Sequence, residues 1–123
     1  MFDVALAREI LRQIHGATQT IRRRLQRIES PLDFTGSDEG MEKLDAICMQ
    51  LIAIGESVKN LDKVTDGTLL PKYPEVEWKR VMGLRDILSH HYFDIDADIV
   101  YEVCVERIPG LAECILRMLE ELP

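Results

Sequence analysis

The sequence predicts an all-α fold, an up-and-down bundle of four helices whose fourth member is kinked near Pro109. Three observations predict it. Apolar residues recur at spacings of three and four along three long stretches, and a shorter helix fits between the second and the last of them. No stretch alternates apolar and polar residues in the manner of a half-buried strand, and no internal repeat or low-complexity tract interrupts the pattern. The connectors between stretches are short, which makes consecutive helices antiparallel neighbours. At 123 residues and 46% hydrophobic content the chain has enough apolar material for one core but no room for a second, so residues 1–123 are read as a single domain.

The first helix is expected over residues 4–28, with Leu6, Ile10, Leu11, Ile14, Ala17, Ile21, Leu25 and Ile28 on one stripe. Asp3 is its candidate N-cap, and Ser30 with Pro31 ends it. After the loop PLDFTGSDEG a second stripe runs from near Ser37 through Leu44, Ile47, Cys48, Leu51, Ile54, Gly55, Val58 and Leu61, stopped by Asp66 and Gly67. Pro71 and Pro74 mark a connector, and Pro74 suits the first position of a third, shorter helix over residues 75–90 because its missing N–H costs nothing there. Asp96 is the candidate N-cap of the fourth helix, which carries Ile99, Val100, Val103, Cys104, Ile108, Leu111, Ile115, Leu116 and Leu119. Pro109 and Gly110 interrupt that pattern without shifting its phase, which predicts the kink. The stripes leave apolar surface over, which points to a homodimer.

Composition narrows the function classes. A formal charge of −7 argues against nucleic-acid binding over the whole surface, so any such site must be local. Cys48, Cys104 and Cys114 are odd in number, far apart and set among aliphatic residues, which predicts core thiols rather than disulfides or a metal knuckle. The opening MFDVALAREILRQIHG lacks a basic start and an unbroken apolar run, and no stretch is apolar enough for a membrane span. A soluble, cytoplasmic protein with no membrane partner is expected.

The densest chemistry is RDILSHHYFDID, residues 85–96. A metal site is the first reading to test. Counted from Asp94, the sixth position of a calcium loop is Ile99 rather than Gly and the twelfth is Val105 rather than Glu. His90 and His91 are adjacent, whereas two zinc ligands on one helix need a spacing of three or four. Neither metal nor cofactor is expected, and the aspartates fit helix capping better. Acid/base chemistry is the second reading. Histidine moves protons near neutral pH, and arginine offers a planar donor fork to a phosphate, the minimum equipment for metal-free RNA cleavage by the ribose 2′-OH. On an ideal helix, however, His90 sits roughly 140° around from Arg85. For such a site either the helix unwinds near Ser89 or residues of two chains combine; the alternative, commoner on spacing alone, is that these residues are a structural polar helix end.

The string from Arg85 through His90 to Tyr92 resembles the R-x4-H-x-Y motif of the HEPN superfamily, in its HepT-like branch of bacterial toxins. The likeness extends through YPEVEWKRVMGLRDILSHHYFDID, with its Pro/Trp start, Gly-x-Arg step and Tyr-x-x-Ile-Asp close, and to the Gly-Glu of AIGESVKNL at residues 53–61. What the resemblance implies is a metal-independent endoribonuclease, the toxin of a type II or type VII-like toxin–antitoxin system. It would act as a homodimer in whose interface cleft the motifs of both chains meet. Carried over by position, Arg85 would hold the phosphate and His90 would act as general acid or base. The family's antitoxin is a minimal nucleotidyltransferase that transfers AMP to the motif tyrosine, here Tyr92, and toxin and antitoxin could form a higher assembly. The added adenylate places negative charge and bulk at a phosphate-binding cleft.

Asp86 stands where the family accepts a polar residue and would orient Arg85 or His90, or pair with a surface lysine. His91 occupies the variable position, as an auxiliary RNA contact or an exposed residue. Glu56 is either a partner of Arg85 or a solvated helix glutamate. Among Arg22, Arg23, Arg24 and Arg27, the pair Arg23 and Arg27 is spaced to share a helix face and receive an RNA backbone, against the alternative of a solvated face. Tyr73 and Trp78 offer rings for base stacking, with a core anchor the stronger reading of Trp78. The rival function from another class is a non-catalytic module that binds a nucleotide or its nucleotidyltransferase partner.

Overall fold

The computed structural model describes residues 2–91 and 94–123. Helix α1 (Val4–Arg24) starts where the Asp3 carboxylate accepts the Leu6 N–H at 3.0 Å, and it buries Ala7, Ile10, Leu11, Ile14, Thr18 and Ile21. It ends four residues before the expected boundary. Leu25 closes the last turn onto the Ile21 carbonyl, and Arg27 takes φ +71°, outside any right-handed helix. Leu25 and Ile28 still pack against the core from this turn, so the apolar spacing outlasts the helix that it suggested.

A single turn, α2 (Leu32–Thr35), buries Phe34 and passes close over α3 (Asp38–Val64). Ser37 caps α3 by accepting the Gly40 N–H at 3.0 Å. Gly40 lies so near the carbonyls of Asp33 and Phe34 that any Cβ there would collide with backbone. Helix α3 buries Leu44, Ile47, Cys48, Leu51, Ile54, Val58 and Leu61, the stripe expected for it. Beyond Thr65, Asp66 and Gly67 both adopt left-handed backbone and turn the chain away.

The expected third helix is divided and shortened. Pro74 does not begin it; the chain passes a 3-10 turn (Leu70–Lys72) and enters α4 (Trp78–Met82) with Trp78 buried and its indole N–H donating to the Tyr73 carbonyl at 2.8 Å. Gly83 separates α4 from α5 (Leu84–Leu88). At Ser89 the backbone becomes extended (φ −144°, ψ 146°), and β1 (Ser89–His91) pairs antiparallel with β2 (Asp94–Ile95), Ser89 opposite Ile95 and His91 opposite Asp94. The Asp96 N–H donates to the Leu88 carbonyl at 2.9 Å and ties the base of the ribbon. Two and three residues are too few to announce a strand by alternation, which is why the sequence pattern missed it.

Helix α6 (Ala97–Glu102) begins at Asp96, whose carboxylate accepts the Ile99 N–H at 3.1 Å. A π-helical turn (Val103–Arg107) leads into α7 (Ile108–Glu121), with Pro109 in its first turn. The irregularity therefore falls just before the proline. Proline has no N–H to give and its ring crowds the carbonyl four residues back, here that of Val105, and a widened turn relieves both.

Helix α1 packs on α3 and α7, while α3 also carries α4 and α5. The Arg8 guanidinium reaches the Pro123 carbonyl at 2.5 Å, and the Tyr101 hydroxyl donates to the Glu29 carbonyl at 2.7 Å, so α1 runs antiparallel to the α6–α7 arm. The result is the all-α bundle the spacing predicted, with one small ribbon added. Among the described residues, no helix is long and apolar enough to cross a membrane.

Candidate active site

Segment 85–96 joins α5 to α6 at the point where the helix stops. Leu84 and Leu88 anchor α5 in the core, which turns Arg85 and Asp86 to the outside. Arg85 forms no ion pair among the described residues, so its donor fork is open to solvent. His90 lies on β1, beyond the last helical residue, so the angular separation that an ideal helix would impose between it and Arg85 does not apply. Of the two ways out of that conflict, the backbone takes the unwinding at Ser89. The side chains of His90 and His91, and the whole of Tyr92, lie outside the described residues.

The aspartates divide by role. Asp96 caps α6, Asp98 sits exposed in that helix's first turn, where a negative charge meets the positive end of the helix dipole, and Asp94 is exposed on β2. Asp86 is exposed beside Arg85.

Of the two readings of Glu56 the solvated one holds, and the expected shared face of Arg23 and Arg27 is corrected. Glu56 does not meet Arg85: it is exposed on α3 and pairs with Lys59 at 3.5 Å. Gly55 explains this, because it faces α4 so closely that a Cβ would stand 2.8 Å from the Val81 carbonyl oxygen, and the next residue points some 100° away from that contact. Arg23 and Arg27 do not share a helix face either, since α1 stops at Arg24 and Arg27 has left-handed backbone. Both are exposed, and Arg23 donates to the Thr20 hydroxyl at 3.2 Å.

Tyr73 and Trp78 are buried and cannot serve as open stacking platforms. The Tyr73 hydroxyl binds the Glu121 carboxylate, and the Arg117 guanidinium lies 5.5 Å from its ring centre. Burial first, and then the Glu121 hydrogen bond, push the Tyr73 phenol up to about 12. The three cysteines are buried free thiols. Desolvation leads the rise in each, to about 11 for Cys48 and Cys114 and about 12 for Cys104, so they are protonated and unreactive near neutral pH. Sequence reasoning missed the support that the Leu88 carbonyl and Asp96 amide give the ribbon, because backbone groups leave no residue-type signal.

A helical bundle with an exposed arginine on its fifth helix and a histidine in the chain just past that helix's end has the frame of a HEPN-type domain. The chain belongs to the HepT-like ribonuclease family, whose sequence profile matches residues 17–118 and so includes the whole of segment 85–96. Its relatives are named accordingly. It is 34% identical over 94 residues to a "putative RNase" of Methanocaldococcus jannaschii, covering 70% of this chain and 73% of that one. It is 36% identical over 76 residues to a "putative RNase" of Caldanaerobacter subterraneus, covering 62% and 64%. To the "probable ribonuclease HepT" of Thermococcus cleftensis it is 35% identical over 66 residues, covering 54% and 56%. The chain thus spans less than two thirds of the latter two. No solved structure gives a significant match.

Proposed function

We propose that this chain is the ribonuclease toxin of a toxin–antitoxin pair and that it cleaves RNA without a metal ion. The observation that carries the reading is the helix-to-strand change at Ser89, which frees His90 from the far side of the helix bearing an exposed Arg85. Family membership and the names of the relatives support an RNA substrate.

In this mechanism His90 takes the proton of a ribose 2′-OH, and the 2′-oxygen attacks the adjacent phosphorus. The P–O5′ bond breaks, and the departing 5′-oxygen receives a proton from a general acid, supplied by the partner's His90 when two copies of the segment meet in a homodimer cleft. Arg85 holds the phosphate oxygens and offsets the charge that builds on them. The products are a 2′,3′-cyclic phosphate and a 5′-hydroxyl. Purified protein should therefore cut RNA in EDTA and leave cyclic-phosphate ends. A substrate with a single 2′-deoxyribose at the cut site should resist, and cleavage of that substrate at the normal rate would rule out 2′-OH attack.

Regulation is proposed through Tyr92. A nucleotidyltransferase antitoxin would let the Tyr92 hydroxyl attack the α-phosphate of ATP, forming a tyrosyl-AMP bond and releasing pyrophosphate. The new negative charge repels the RNA backbone from the cleft. Mass spectrometry after incubation with ATP and the transferase should find one AMP on the peptide containing Tyr92. An adduct that persists in Tyr92→Phe would place the modification elsewhere.

A further inference from the structure

Away from the exposed face of Arg85, α4 and α5 on one side and α6, the π turn and α7 on the other enclose an open groove of about 560 Å³. Its floor is aliphatic: Val76, Val81, Ile87, Ile99, Val103 and Leu111 line it, and the first five are only half-buried. Along the α6–α7 wall the lining extends from Ile99 to Arg117, roughly 27 Å at the helical rise per residue. So modest a volume spread over that length makes a shallow trough, which suits an elongated occupant better than a compact small molecule.

The rim decides what kind of occupant. Its three arginines are already engaged, Arg80 and Arg107 with Glu77 at 3.8 and 3.5 Å, and Arg117 with Glu75 at 2.6 Å. Glu102, Glu106 and Glu113 are exposed on the same rim and form no ion pair among the described residues. The trough is therefore apolar below and acidic above. A second copy of the chain in a two-fold contact would set this acidic rim against itself, and each copy already carries a formal charge of −7. RNA phosphates meet the same repulsion.

We infer that this groove docks a basic amphipathic helix of a protein partner, with aliphatic side chains at i, i+3, i+4 and i+7 on the floor and Lys or Arg flanks against Glu102, Glu106 and Glu113. The inference goes beyond the ribonuclease reading and stands without it. Because Ile87 belongs to α5 and Ile99 to α6, the docked helix touches both elements that flank the ribbon bearing His90.

The test is fluorescence anisotropy of the whole protein with a labelled helical peptide of leucine and lysine, apolar on one face. A peptide with glutamate in place of lysine is the control. The leucine–lysine peptide should bind, and the triple variant Glu102→Lys, Glu106→Lys, Glu113→Lys should weaken it about tenfold. A triple variant with the same charge change at Glu9, Glu29 and Glu42, which are exposed and do not line the groove, should have much less effect. Equal weakening by both triples would mean unspecific charge attraction and overturn the inference, as would equal binding of the glutamate peptide or no binding at all. So would sedimentation showing that Val103→Asp converts a dimer to a monomer, since the groove would then belong to a second copy.

Discussion

Gly55 shows how a single missing methyl group positions a site. With the Val81 carbonyl 2.8 Å from where a Cβ would be, Gly55→Ala forces α4 away from α3 and carries α5 and Arg85 with it. Overpacking of this kind costs about 1–3 kcal/mol, and urea unfolding should show a loss in that range. Wild-type stability in Gly55→Ala would mean that α4 has room to yield. Asp96 is the contrasting case. Its role was legible, because an aspartate directly before an apolar periodic run is a cap by chemistry, and the carboxylate does accept the Ile99 N–H. Asp96→Ala should cost about 1 kcal/mol. Glu56 was not legible: a helix glutamate beside a glycine fits a buried ion pair or a solvated one, and only the direction of the Gly55 contact decides between them.

At the scale of elements, periodicity located three helical stretches and the proline connector the shorter one between them, and both failed at the ends. The stripe of α1 ran on through Leu25 and Ile28 because those side chains pack on the core from a turn, and spacing cannot see the left-handed backbone at Arg27. In the same way the R-x4-H spacing could show that His90 was misplaced on a straight helix but not which remedy the chain adopts. The remedy is the ribbon, and hydrogen exchange can test it. The Asp96 amide, bonded to the Leu88 carbonyl, should exchange much more slowly than that of Asp98, which lies in the unpaired first turn of α6. Equal exchange at the two positions would show that the base of the ribbon is open and that His90 is not held by it.

For the whole molecule, burial of the thiols links stability to pH. Their folded-state values of about 11 to 12 lie above the ordinary value of 9.0, so above pH 9 the unfolded chain gives up protons that the folded chain keeps. Stability is therefore constant in this respect below pH 9 and falls as pH rises from there toward 11, with Tyr73 adding the same sign above its ordinary value of 10.0. Urea midpoints measured across pH 8 to 11 should decline, and a flat profile would mean that water reaches these groups. For function, we propose that an exposed Arg85 and a strand-borne His90 make one RNA-cleaving site. The most direct measurement is the rate of RNA cleavage in EDTA by the parent protein and by His90→Ala, with the unfolding transition recorded for both. Loss of a general acid–base group predicts a fall of about 10²- to 10⁴-fold with the transition unchanged, whereas cleavage by His90→Ala at the parent rate would contradict it.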